Sequence, residues 1–114
     1  MLVEDDSDLR NVYRATLAFA GFSVRAYANG LDALRGLDLS IPDVVVLDLV
    51  MPGVNGFEVR AELRARAQTR RIPVVIVTGL PAEGLGELNV ECILTKPFAP
   101  DDLVAAVRRC LWTS

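Results

Sequence analysis

The sequence lacks several features that define large classes of proteins. Histidine is absent, which excludes a phosphohistidine on this chain. No apolar run is long enough to span a bilayer, and we recognise no signal peptide, so we expect a cytoplasmic location without a membrane segment. The net charge is -3, and nothing therefore indicates a direct nucleic-acid partner. Cys92 and Cys110 lack metal-ligand spacing, and we expect two buried thiols in a reducing compartment.

Lysine is nearly absent as well. Lys96 is the only one, and every other residue among the 12 Lys and Arg is arginine. Chance alone accounts for one lysine. A small anion site would, however, require the compact point charge of an ammonium group rather than the planar fork of a guanidinium group. Composition alone favours chance.

The pattern of apolar residues predicts one α/β domain over residues 1–114. Two runs, 43–48 and 73–78, consist mostly of β-branched residues and are typical of strands buried on both faces of a parallel sheet. Shorter strands are predicted at 2–3, 23–27 and 92–94. Helical spacing follows Ser7 or Asp8 as far as Gly21, and recurs at 31–37, 57–67 and 101–111. The fold class expected is a doubly wound, flavodoxin-like, five-stranded parallel sheet of order 2-1-3-4-5 with five helices.

Polar residues stand at the ends of four of the five predicted strands. Each alone has an ordinary explanation, such as a helix cap, a turn or a surface loop. Because the carboxyl ends of parallel strands meet at one edge of the sheet, we expect these side chains to converge there. They are Glu4, Asp5, Asp6, Asp48, Thr78 and Lys96.

Such a cluster suits phosphoryl chemistry on a hard cation. Three acids at one edge raise one another's pKa unless a cation intervenes. Carboxylate oxygens suit Mg²⁺, and Mn²⁺ is a second option. An aspartate can form a covalent aspartyl phosphate, and a hydroxyl group with an ammonium group would complete an anion pocket.

The ordered motifs resemble the receiver domains of bacterial two-component response regulators over essentially the whole chain. Lys-Pro-Phe by itself is not specific, whereas the full ordered set is. The motifs are Val3-Glu4-Asp5-Asp6, Leu47-Asp48 through Met51-Pro52-Gly53, Asn55-Gly56, Val77-Thr78-Gly79 and Lys96-Pro97-Phe98.

The resemblance implies a role for each residue of the acid cluster. Asp48 stands at the phosphorylated position. Asp5 and Asp48 would bind Mg²⁺ directly, the backbone carbonyl of Val50 would be the third protein ligand, and Glu4 would act through water. Asp6 is expected to cap a helix or to support the charge of its neighbours.

The resemblance also implies how the opposite side of the site works. Thr78 matches the switch hydroxyl that contacts the phosphoryl group, and Lys96 matches the lysine that pairs with a phosphoryl oxygen. Pro97 is a structural residue, typically joined to the lysine by a cis peptide bond. Ile93 occupies the second switch position, where many receivers carry an aromatic ring.

Three features depart from the family pattern. Ile93 cannot supply an exposed ring. The segment from Gly79 to Asn89 is short and rich in glycine, so the usual dimer and output face is expected to be atypical. Val50 and Leu80 are both apolar, and our hypothesis is that they slow hydrolysis of the aspartyl phosphate.

The favoured function is a phosphoacceptor switch. Asp48 would take a phosphoryl group from a sensor histidine kinase or a phosphotransfer protein. We do not expect an enzyme: the chain would catalyse only its own phosphorylation and dephosphorylation. The alternative is a pseudo-receiver, which binds partners without being phosphorylated. A phosphohydrolase is disfavoured because Val50 stands where its second acid would be. The sequence does not identify the output partner or fused output domain. A homodimer is possible, and the chain could stand alone or belong to a longer protein.

Overall fold

A computed structural model describes residues 1–80 and 92–113, and strands alternate with helices from residue 2 to residue 78. The segment from Gly79 to Asn89, where the fifth predicted helix would lie, falls almost wholly outside the described residues, and the described residues contain four helices. The elements are β1 (Leu2–Val3), α1 (Ser7–Phe19), β2 (Ala26–Tyr27), α2 (Gly30–Gly36), β3 (Val45–Asp48), α3 (Gly56–Ala65), β4 (Val74–Thr78), β5 (Cys92–Thr95) and α4 (Pro100–Thr113).

The five strands form one parallel sheet in the predicted order β2-β1-β3-β4-β5. The chain leaves β1 toward β2 on one side and returns to β3 on the other, which creates a topological switch point between β1 and β3. Asp48 pairs with Val77, and Thr78 pairs with Thr95. The carboxyl ends of β3, β4 and β5 therefore lie within one residue of one another along the sheet.

The sheet separates two apolar cores, and alternate strand residues face each core. Val46, Val75 and Val77 belong to the core that contains buried residues of α1 and α4. The neighbouring residues Val45 and Leu47 belong to the core of α2 and α3. Both faces of β3 and β4 are thus covered, which is why their sequences are continuously apolar.

The ends of α1 are fixed by local hydrogen bonds. The side chain of Asp6, rather than that of Ser7 or Asp8, caps the helix by accepting from two backbone N–H groups. Ser7 already has a helical conformation, so the residue before it fills the cap position. Gly21, with φ at 101°, ends the helix as predicted. The Phe22 N–H then reaches the Leu17 carbonyl in a Schellman arrangement.

Two predictions from composition can be compared with these elements. Cys92 and Cys110 are both buried, as expected. Across the described ranges, no helix has the length and apolar character needed to cross a membrane.

Candidate functional site

Three carboxylates meet at the switch point. Glu4 follows β1 directly and Asp48 is the last residue of β3, so the sheet itself brings these two together. Glu4, Asp5 and Asp48 each present an oxygen, and the three oxygens lie within 4.8 Å of one another. Glu4 and Asp48 are only 1% and 5% exposed, whereas Asp5 is exposed. The cluster therefore has two buried carboxylates and one that faces solvent.

Lys96 joins the two buried carboxylates. Its Nζ lies 2.7 Å from Glu4 Oε1 and 3.1 Å from Asp48 Oδ2. Burial by itself would lower the pKa of Lys96, but the hydrogen bonds to Glu4 and Asp48 outweigh burial and raise it. The Lys96 backbone N–H also donates to the Thr78 carbonyl at 2.8 Å, which fixes the end of β5 against β4.

The charge of Glu4 is only partly neutralised by that contact. Burial is the main cause that raises the pKa of Glu4, to about 7, and the nearby Asp48 adds to the rise. The hydrogen bond from Lys96 opposes it. Three acids facing one ammonium group leave the cluster short of positive charge. Its oxygen donors fit a hard divalent cation such as Mg²⁺.

The loop after β3 is folded back against Asp48. The Val50 N–H donates to Asp48 Oδ1 at 3.1 Å, while the Val50 side chain is 58% exposed. Gly56 donates from its N–H to the Leu49 carbonyl at 3.0 Å, and a Cβ on Gly56 would collide with the Asp48 carbonyl oxygen. This close approach requires glycine. Asn55 then starts α3 with a capping box, which closes the loop.

On the opposite side, α1 holds the backbone that carries the acid pair. The Asp6 N–H donates to Glu4 Oε2 at 3.2 Å. Arg10 Nη1 donates to the Glu4 carbonyl at 3.0 Å and approaches the Asp5 carbonyl at 3.4 Å. The helix therefore positions both Glu4 and Asp5. Sequence reasoning did not single out Arg10. The available signal was its position one helical turn after the cap residue Asp6, from which its side chain can reach back to the start of the helix.

The other residues predicted for the site lie at the same edge or close behind it. Thr78, fully buried at the end of β4, accepts a hydrogen bond from the Leu80 N–H at 3.0 Å through its hydroxyl oxygen. Ile93 is half-buried and packs against the core of α2 and α3. The Lys96–Pro97 peptide bond is cis.

One aromatic contact near the site was not foreseen from the sequence. The rings of Tyr13 and Phe98 stack with centroids 5.4 Å apart and an interplanar angle of 18°. The spacing of Tyr13 along its helix placed it only in the core. Its contact with the residue two positions after Lys96 depends on how α1 packs against the loop before α4.

A family model described as the response regulator receiver domain matches residues 1–108. The C4-dicarboxylate transport transcriptional regulatory protein DctD of Rhizobium meliloti is 35% identical over 115 residues, which cover 95% of this chain and 24% of that protein. The sensory transduction protein RegX3 of Mycolicibacterium smegmatis is 34% identical over 116 residues, covering 97% of this chain and 49% of that protein. The chain thus spans a quarter to a half of the length of these two curated relatives.

Solved structures show the same architecture. The signal receiver domain of a signal transduction histidine kinase from Syntrophus aciditrophicus superposes with a TM-score of 0.90 at 28% identity, over 98% of this chain and 88% of that one. The response regulator TrrA of Thermotoga maritima, solved in complex with Mg²⁺–BeF, superposes with a TM-score of 0.84 at 25% identity, over 96% and 95% of the two chains.

Proposed function

This chain belongs to the response regulator receiver domain family, and from that premise we propose that Asp48 is a phosphoacceptor. The observation that carries the proposal is the convergence of Asp5, Asp48 and Lys96 at the carboxyl edge of the sheet, with Glu4 beside them. Two buried carboxylates bridged by one lysine form a strongly polar pocket in an otherwise apolar interior. Such a pocket is costly to stability and is typical of a site retained for chemistry.

The protein residues divide the work of the transfer. A carboxylate oxygen of Asp48 attacks the phosphorus atom of the donor, a P–O bond forms, and the bond from phosphorus to the donor's leaving atom breaks. Lys96 exchanges its contact with the Asp48 carboxylate for one with an oxygen of the incoming phosphoryl group. The hydroxyl of Thr78 donates to another phosphoryl oxygen after releasing its local contact with the Leu80 N–H.

The donor set fits Mg²⁺, with Mn²⁺ as a second option. Asp5 and Asp48 would hold the ion through carboxylate oxygens, Val50 through its carbonyl oxygen, and Glu4 through a bound water. When bound, the ion offsets the negative charge of the acids and of the phosphoryl oxygens. The magnesium named in the TrrA complex supports the same choice for this related site.

The partners follow from this chemistry. Histidine is absent from residues 1–114, so the phosphodonor lies outside them: a sensor histidine kinase, a phosphotransfer protein or a small phosphoanhydride. We expect the reaction to take place in the cytoplasm. The chain would catalyse only its own phosphorylation and dephosphorylation and would not turn over a separate substrate. The switch would consist of Thr78 and Ile93, and its output would pass to a partner protein or a fused output domain.

The proposal is tested by intact-mass measurement after incubation with acetyl phosphate, with and without Mg²⁺. We expect one added phosphoryl group in the wild type with Mg²⁺, and none in Asp48→Asn or after chelation. Asp101→Asn is the matched control, because it removes an exposed carboxylate at the start of α4 and should be phosphorylated normally.

Two outcomes would contradict the proposal in different ways. A folded wild type that binds Mg²⁺ but gains no mass would favour the pseudo-receiver, and attention would turn to partners bound without phosphorylation. A mass gain that persists in Asp48→Asn would place the modification on another residue.

A further inference from the structure

Lys96 can act only if a long, flexible side chain is held in one place. Its four-carbon stem carries considerable rotamer entropy, so the two short contacts with Glu4 and Asp48 require a fixed backbone beneath them. On the N-terminal side the Lys96 N–H bonds to the Thr78 carbonyl. The structure must therefore supply a second fixed point on the C-terminal side.

The stacked pair of Tyr13 and Phe98 lies at that second point. Phe98 is two residues after Lys96 and packs partly buried against the core of α1 and α4. Its ring stacks on Tyr13, which is only 7% exposed. One residue further, the Ala99 N–H donates to Asp102 Oδ2 at 3.1 Å as the chain enters α4. The connection from Lys96 to α4 is thus held at both ends and braced in the middle by the rings.

Tyr13 also lies close to the charges of the site. Burial raises the pKa of Tyr13, and the positive charge of Lys96 opposes this rise, while Glu4 and Asp48 add to it. The residue belongs to α1, and Arg10 of the same helix donates to the backbone carbonyls of Glu4 and Asp5. A single rigid helix therefore contacts both the acid side of the pocket and the loop that carries the lysine.

We propose that Tyr13, acting through Phe98, is a positioning residue that holds the Lys96 ammonium group between Glu4 and Asp48. The role in phosphorylation rests on the proposed function, but the positioning itself does not. The acid cluster consists of Glu4, Asp5 and Asp48 and does not include Tyr13, so we expect its loss to change the lysine without changing the acids.

The first test uses the fact that Lys96 is the only lysine. Metal-free protein is treated with an amine-specific acylating reagent, and peptide masses identify the labelled site. The rate at which Lys96 is acylated reports how firmly its ammonium group is held. We expect Lys96 in Tyr13→Leu and in Phe98→Leu to be labelled about threefold to tenfold faster than in the wild type, which is the range for loss of one stacked aromatic pair. Tyr13→Phe, which keeps the ring, should restore protection. Val12→Leu, at an exposed neighbouring position of α1, should label like the wild type.

The second test separates the lysine from the acids. In Tyr13→Leu we expect the rate of phosphorylation by acetyl phosphate at saturating Mg²⁺ to fall about threefold to tenfold, while the Kd for Mg²⁺ from calorimetry stays within about twofold. In a Lys96→Gln background the same substitution should have no further effect on the rate, because the group it positions is gone.

The outcomes distinguish this inference from the proposed function. Wild-type labelling of Lys96 in Tyr13→Leu, with urea unfolding confirming that the variant is folded, would overturn the positioning role. So would an Mg²⁺ affinity that weakens in parallel with the phosphorylation rate, since the substitution would then act on the acids. A wild type that is never phosphorylated would end the proposed function, yet the labelling result would still decide whether Tyr13 holds Lys96.

Discussion

Replacing Lys96 by glutamine removes the ammonium group that contacts Glu4 Oε1 at 2.7 Å and Asp48 Oδ2 at 3.1 Å. Removing one partner of a buried ion pair costs about 3–5 kcal/mol. Two features of this site reduce the cost. The Lys96 side chain is 22% exposed, and Glu4 can take up a proton because its pKa is already about 7. We therefore expect the free energy of unfolding at pH 8, without divalent cations, to fall by roughly 2–3 kcal/mol.

The size of this loss should depend on pH and on Mg²⁺ in a defined direction. At pH 6, below the pKa of about 7 for Glu4, most folded wild type carries a protonated Glu4, so Lys96 stabilises mainly Asp48 and the loss should be smaller. Saturating Mg²⁺ at pH 8 should also reduce the loss, because the ion supplies the positive charge that the variant lacks and binds the folded state only.

Urea unfolding measured at both pH values, with chelator and with Mg²⁺, tests these expectations. Arg35→Gln is the matched control, because it also removes one positive charge. Its partner Asp32 lies 4.0 Å away and both side chains are largely exposed, so the cost should stay below about 0.5 kcal/mol. Equal losses in the two variants, or a loss at Lys96 that is the same at both pH values, would refute the reasoning.

Three further predictions concern single side chains. Because burial raises the pKa of Glu4 to about 7, folding favours its protonated form. The stability of the metal-free protein should therefore decline as the pH rises from about 4.5 toward 7, and Mg²⁺ affinity should fall as the pH is lowered through 7. Thermal melts and calorimetry would detect both trends, and Glu4→Gln should remove them. Thr69→Val should cost about 1–2 kcal/mol in urea unfolding, because the buried Thr69 hydroxyl donates to the Leu63 carbonyl at 2.6 Å; Thr69→Ser, which keeps the hydroxyl, should lose less. Val50→Asn should shorten the half-life of the aspartyl phosphate if the apolar side chain slows water attack, and an unchanged half-life would contradict that idea.

Much of the fold was readable from local pattern. The strands β3 and β4 carry continuous β-branched runs because both of their faces are buried, and such runs are recognisable without any structure. Helix ends were less certain. The cap of α1 was expected at Ser7 or Asp8, whereas Asp6 fills it, because several adjacent polar residues can each accept the same N–H bonds and only the backbone geometry selects one.

The sequence by itself determined which residue types stand at the ends of the strands. Because the strands are parallel, their carboxyl ends meet at one edge of the sheet. That was enough to place Glu4, Asp5, Asp48 and Lys96 in one candidate site. It could not say that Lys96 would bridge Glu4 and Asp48, nor that Glu4 would be buried while Asp5 faces solvent, because burial depends on how the loops and α1 close over the edge. Tyr13 and Phe98 show the same limit. They are 85 positions apart in the chain, each has an ordinary apolar role within its own element, and only the packing of α1 against the loop before α4 brings their rings together beside the lysine.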